Sequence, residues 1–129
     1  MDMGLEGKVA IITGGSDGIG KAAALSMAKE GANVVIVARR EDVLEQAVKE
    51  IKTATEGSVV PLALDITTDG ASQKMIRTAT DNFGRVDIIV NNAGTSMAKP
   101  FEAVSQEDWQ SDFESVSYTH LTLPTILRV

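Results

Sequence analysis

From Lys8 to Val90, short continuous apolar runs alternate with longer segments whose apolar residues recur at helical spacing. Lys8 to Ile12 and Val34 to Val37 are short and rich in β-branched residues, and predict strands covered on both faces. Val59 to Leu64 and Val86 to Val90 predict two more. Pro61 assigns the third strand to an edge, because proline has no N–H to offer a ladder. Between the strands, Gly18 to Glu30 reads as a helix presenting Ala22, Leu25, Met27 and Ala28, ended by Gly31. Glu41 to Ala54 sets Val43, Leu44, Ala47, Val48 and Ile51 at helical spacing with charges between. Ala71 to Asn82 turns Met75, Ile76 and Ala79 inward and stops before Gly84. Ser105 with Asp108 resembles a capping box, with Asp where Glu or Gln is usual, and opens a short helix through about Glu114.

This alternation predicts right-handed βαβ units and an α/β fold with a doubly wound parallel sheet. The expected strand order is 3-2-1-4, with the Pro61 strand at one edge. At the other edge the Val86–Val90 strand has no predicted partner, and a flat apolar edge invites aggregation. The expectation is therefore a chain that is poorly soluble, molten or dependent on self-association when alone.

Composition changes this picture only by exclusion. At 129 residues with 43% apolar content, the chain is one folded domain rather than a disordered tract. Its 18 acids against 12 bases give a net charge of −6 without any basic run, so nucleic acid and anionic membrane are poor partners. No signal-peptide pattern opens the chain and no apolar run approaches spanning length, which gives a cytoplasmic expectation. The absence of cysteine and the single His120 argue against a metal site, disulfides or a thiol nucleophile.

The first candidate chemistry lies where the first strand ends. Thr13 is followed by glycines at 14, 15, 18 and 20, and then by the first helix. Glycine suits so tight a turn, and it lets a phosphate approach the backbone. The helix's unpaired N–H groups and positive dipole end favour a pyrophosphate. Read alone, the same pattern also describes a glycine-rich turn without a ligand. Asn91-Asn92-Ala93-Gly94 follows the fourth strand directly, and Asp65-Ile66 ends the third.

The Thr13-Gly14-x-x-x-Gly18-x-Gly20 spacing differs from the commoner G-x-G-x-x-G. Together with Asn91-Asn92-Ala93-Gly94, it resembles the short-chain dehydrogenase/reductase family in its single-domain branch, from about Leu5 to about Glu114. The resemblance implies a Rossmann-type fold and a nicotinamide dinucleotide cofactor. It implies binding residues Thr13, Gly14, Ser16, Asp17, Gly18, Ile19 and Gly20 in the turn, and Asn91, Asn92, Ala93 and Gly94 after the fourth strand. Asp65 matches the family's acidic residue beside the adenine ring, with Ile66 against the ring face; a carboxylate capping its own loop is the alternative.

The end of the second strand bears on the choice of cofactor. An acid there would accept the ribose hydroxyls and repel a 2′-phosphate, but the chain has Ala38-Arg39-Arg40. Arg39, with Arg40 as a second candidate, offers a guanidinium fork to that phosphate, so NADP(H) is expected over NAD(H). A solvated arginine pair at a helix start is the competing account. Asp17 weighs against NADP(H), since some NADP(H)-preferring relatives carry a base in that turn.

The resemblance also implies hydride transfer between nicotinamide and a carbonyl or alcohol carbon. In the family a tyrosine is the acid/base, helped by a lysine four residues on, with a serine and a relay asparagine. This chain offers no convincing match. Its only tyrosine is Tyr118, Thr122 stands four residues later, and no lysine follows Lys99. Ser115, Val116 and Ser117 occupy the expected asparagine region, and Ser96 reads as a polar loop residue. Residues 118–129 do not resemble the family.

The leading expectation is thus an NADP(H)-binding half-domain over residues 1–114, from a truncated oxidoreductase, with a divergent or non-native tail over 115–129. The full-length form would act on a small carbonyl or alcohol substrate and would be a homo-oligomer. A non-catalytic dinucleotide-binding module or sensor is the second reading, and a flavodoxin-like domain the third.

Overall fold

The computed structural model describes residues 4–14, 18–55, 57–92 and 125–128. The chain runs β1 (Val9–Thr13), α1 (Gly18–Lys29), β2 (Asn33–Ala38), α2 (Glu41–Ala54), β3 (Val59–Ala63), α3 (Ala71–Phe83), β4 (Ile88–Asn91) and β5 (Thr125–Arg128). All pairings are parallel, and the sheet order is β3-β2-β1-β4-β5. The expected 3-2-1-4 order is present within it.

The inner strands β1 and β2 read as continuous apolar runs because both faces are covered, and alternate residues serve opposite faces. Val9, Ile11, Val35, Val37 and Ile89 pack with Met75, Ile76 and Ala79 of α3. Ile12, Val34, Ile36 and Val90 pack on the other face against Ala24 and Ala28 of α1 and Leu44, Ala47 and Ile51 of α2. Lys21 of α1 pairs with Glu50 of α2 at 2.6 Å across that outer layer. Pro61 lies exposed in the edge strand β3, in register with Ile36.

Three expectations need correction. The helix α1 buries Gly20, Ala24 and Ala28, while Ala22 is exposed. That spacing of one residue per turn is a stripe of small residues, which lets the helix axis come close to the sheet. The fourth strand begins at Ile88 rather than Val86, although Val86 is buried beneath it, and the first includes Thr13. The third correction is the largest: the outer edge of β4 is paired, because β5 lies along it from Ile88↔Thr125 to Asn91↔Arg128.

Asp87 fastens the amino edge of these strands. Its Oδ2 accepts the buried Val9 N–H at 2.9 Å, its Oδ1 accepts from Arg85 at 2.7 Å, and its backbone carbonyl accepts the Thr125 N–H at 2.9 Å. One residue thus links β1, β4 and β5. Among the described residues, no helix is long and apolar enough to cross a membrane.

Candidate functional site

The chain leaves β1 toward β2 and β3 on one side, then crosses to β4 on the other. The carboxyl ends of β1 and β4 therefore form the switch point of the sheet, where a doubly wound fold opens a crevice. The candidate residues in the described part come to this edge. Thr13 and Gly14 end β1, Arg39 and Arg40 follow β2, Asp65 and Ile66 follow β3, and Asn91 and Asn92 end β4. Gly18, Ile19 and Gly20 form the first turn of α1.

Thr13 joins the ends of β1 and β4. Its buried hydroxyl accepts the Asn92 N–H at 2.8 Å and lies 3.3 Å from Asn91 Oδ1 and 3.4 Å from the Val90 carbonyl, into which pair it donates. The Gly14 N–H donates to the Val37 carbonyl at 2.8 Å, so the turn begins tied to β2 as well.

Two glycines are required by this packing itself. Gly14 has φ +67°, and a Cβ there would lie 2.8 Å from the Asn92 carbonyl oxygen. A Cβ on Gly20 would lie 2.1 Å from the Gly14 carbonyl oxygen and 2.9 Å from Asn92 Nδ2. The first turn of α1 is thus pressed onto the Gly14 peptide and the Asn92 side chain. Gly18 differs. It adopts φ +58°, and among the described residues a Cβ on it would meet nothing within 4 Å. Open space beside a helix start fits a diphosphate, which needs room and free N–H groups. Ile19 adds a 64% exposed apolar side chain beside that opening.

Farther along the same edge of the sheet, Leu64 N–H donates to the Ala38 carbonyl at 2.9 Å, and the Arg39 charge reaches Asp65. Asp65 Oδ1 accepts both the N–H and the hydroxyl of Thr67, at 2.9 and 2.6 Å. Those two bonds hold its carboxyl below the usual carboxylate range, with the Arg39 charge acting in the same direction. Ile66 is half-buried and packs against the cluster beneath α3. Arg40 precedes α2 and pairs with Asp42 at 3.1 Å, both side chains well exposed.

Ser16, Asp17, Ala93 and Gly94 lie outside the described residues, as do Ser96, the Ser105–Asp108 box, Tyr118, His120 and Thr122. Sequence reasoning missed Thr67, although Asp-x-Thr after a strand is the pattern of a local side-chain turn. It also missed how Gly20 is packed, which the approach of the Gly14 carbonyl and of the Asn92 side chain reveals. A groove of about 670 Å³ lies at the opposite, amino edge, lined by Glu6, Lys29, Asn33, Thr55 and Ser58 among others. It gathers none of these candidate residues.

The short chain dehydrogenase family profile matches residues 8–122. The chain belongs to that family. A probable 2,4-dienoyl-CoA reductase of Bacillus subtilis is 39% identical over 112 residues, covering 87% of this chain and 44% of the relative. The crystal structure of L-sorbose reductase from Gluconobacter frateurii, complexed with NADPH and L-sorbose, superposes with a TM-score of 0.71 at 40% identity, covering 90% of this chain and 44% of that one. An alcohol dehydrogenase from Thermococcus sibiricus, complexed with 5-hydroxy-NADP, gives 0.64 at 34% identity and covers 83% and 46%. The chain spans under half the length of these short-chain dehydrogenases. The family match also runs past Glu114, to residue 122, and stops just before β5.

Proposed function

We propose that this short-chain dehydrogenase chain holds NADP(H), in preference to NAD(H), for hydride transfer between the nicotinamide and a ketone or secondary-alcohol carbon. The observation that carries the proposal is the switch-point junction of Thr13, Gly14, Gly20 and Asn92 beside the open helix start at Gly18. The main-chain N–H groups of Gly18, Ile19 and Gly20, with the positive end of α1, would take the diphosphate. Arg39 would pair with the 2′-phosphate, with Arg40 adding charge near it. Asp65 would accept from the adenine amino group and Ile66 would flank the ring. By position in the sequence, Ser16, Asp17, Ala93 and Gly94 join this set. When bound, the nicotinamide supplies the hydride donor or acceptor. Two similar structures, one with NADPH and one with an NADP analogue, support this cofactor class.

The substrate would be a small carbonyl or alcohol compound, and the full-length enzyme a homo-oligomer. The residues for proton transfer would come from outside these 129, because Tyr118 has Thr122 rather than lysine four positions on. The same observation favours a second reading, a dinucleotide-binding module without catalysis. Cofactor binding with no turnover after addition of a relative's carboxyl-terminal half would establish that reading over the first.

The cofactor preference is tested by Arg39→Asp. Loss of a charge-assisted pair, with repulsion added, should weaken NADPH binding by about tenfold to a hundredfold. NADH affinity should change by less than about threefold, since that cofactor has no 2′-phosphate to lose. Equal losses for both cofactors in calorimetry would remove Arg39 from the phosphate site.

A further inference from the structure

Thr67 lies two residues beyond the adenine-side carboxylate, and both of its donors are spent on it. The N–H donates to Asp65 Oδ1 at 2.9 Å and the hydroxyl donates to the same oxygen at 2.6 Å. A carboxylate oxygen has two favourable acceptor directions, so Oδ1 is fully engaged within the protein. Among the described residues no donor meets Oδ2. We propose that Thr67 is a positioning residue, which fixes the Asp65 carboxylate so that Oδ2 alone is presented to the exocyclic amino group of adenine.

The surrounding turn is built to hold that orientation. Thr68 donates to the Asp65 carbonyl twice, from its hydroxyl at 2.7 Å and its N–H at 3.1 Å. The Thr68 carbonyl in turn accepts the Ala71 N–H at 3.2 Å, joining the turn to the start of α3. Below, Ile66 is anchored against the α3-side cluster, and ahead of it Leu64 is bonded to the end of β2. An exposed aspartate without such bonds samples several rotamers and loses that freedom on binding. Here Thr67 has removed the freedom before a ligand arrives, which is the physical content of preorganisation. The same two bonds favour the charged, acceptor-only form, suited to an amino group and unsuited to a keto oxygen. Thr67 therefore tunes discrimination by the base and not the grip on the phosphates.

This inference rests on the proposed placement of adenine beside Asp65, and the test separates the two. The probes are NADP+ and its deaminated counterpart, nicotinamide hypoxanthine dinucleotide phosphate, whose base carries a keto group in place of the amino group. The wild-type chain should bind NADP+ the more tightly, and Asp65→Asn should erase that preference. Thr67→Val should weaken NADP+ by about fivefold, the size of one net hydrogen bond, and leave the hypoxanthine form within about twofold. Thr67→Ser keeps the hydroxyl and should restore the wild-type ratio. If the wild-type chain binds both probes equally, the adenine placement is wrong and the inference falls with it. If Asp65→Asn erases the preference but Thr67→Val leaves it intact, the placement stands and the role of Thr67 is refuted. Equal weakening of both probes by Thr67→Val would also refute it, as the mark of general damage to the turn.

Discussion

Gly20→Ala should cost the chain about 2–3 kcal/mol of stability and nearly all of its cofactor affinity. The added Cβ would sit 2.1 Å from the Gly14 carbonyl oxygen, a backbone atom that cannot rotate away. Relief requires the first turn of α1 to lift from β1 and from Asn92 Nδ2, itself only 2.9 Å from that Cβ. Overpacking of this kind costs about 1–3 kcal/mol, and a displacement of backbone belongs at the upper end. In a domain of this size that corresponds to a melting temperature lower by about 10 °C. Affinity should fall further than stability, because the lifted turn is the one proposed to offer its N–H groups to the diphosphate. Gly18→Ala supplies the contrast: among the described residues its Cβ meets nothing within 4 Å, so its cost is the strain of φ +58° and a methyl group in the space proposed for the phosphate. Thermal melts and NADPH titrations of both variants would check this, and a Gly20→Ala chain with unaltered binding would refute the packing account.

A chain ending at residue 124 should lose solubility. The strand β5 pairs along the whole of β4, and its first N–H is received by the same Asp87 that receives the N–H of Val9. Without it, Ile88 to Asn91 would present an unpaired apolar edge next to the buried core positions Ile89 and Val90. Such an edge templates further strand pairing. Light scattering should show concentration-dependent association in the shortened chain and far less in the intact one. A shortened chain that stays monomeric with an unchanged melt would mean that β5 contributes nothing to the sheet.

This strand is also the clearest limit of the sequence. Thr125 to Arg128 is too short for its period to distinguish strand from loop, and its partner lies 37 positions earlier at Ile88↔Thr125. No local signal carries a pairing of that range. The inner strands were legible because coverage on both faces leaves an unbroken β-branched run, as at Val34 to Val37. In α2 and α3 the charged residues mark the outer face, so their buried residues follow from period alone. In α1 alanines lie on both sides, and the sequence pattern could not tell Ala22 from Ala24. At the site, residue types pointed to Thr13, Asp65 and Asn92, while their internal bonds did not show. For Asp65 the residue type fits both a loop cap and a ligand contact; the structure shows the cap, with Oδ1 accepting from the N–H and hydroxyl of Thr67.

The central claim, that the carboxyl edge around Gly14, Gly18 to Gly20 and Asn92 holds a nicotinamide dinucleotide phosphate, is tested most directly by an amide-resolved NMR titration with NADP+. Saturable shifts concentrated at those residues, and at Arg39 and Asp65 to Thr67, are the predicted result. Shifts confined to the amino-edge groove around Glu6, Lys29 and Thr55, or none on a well-folded chain, would contradict it.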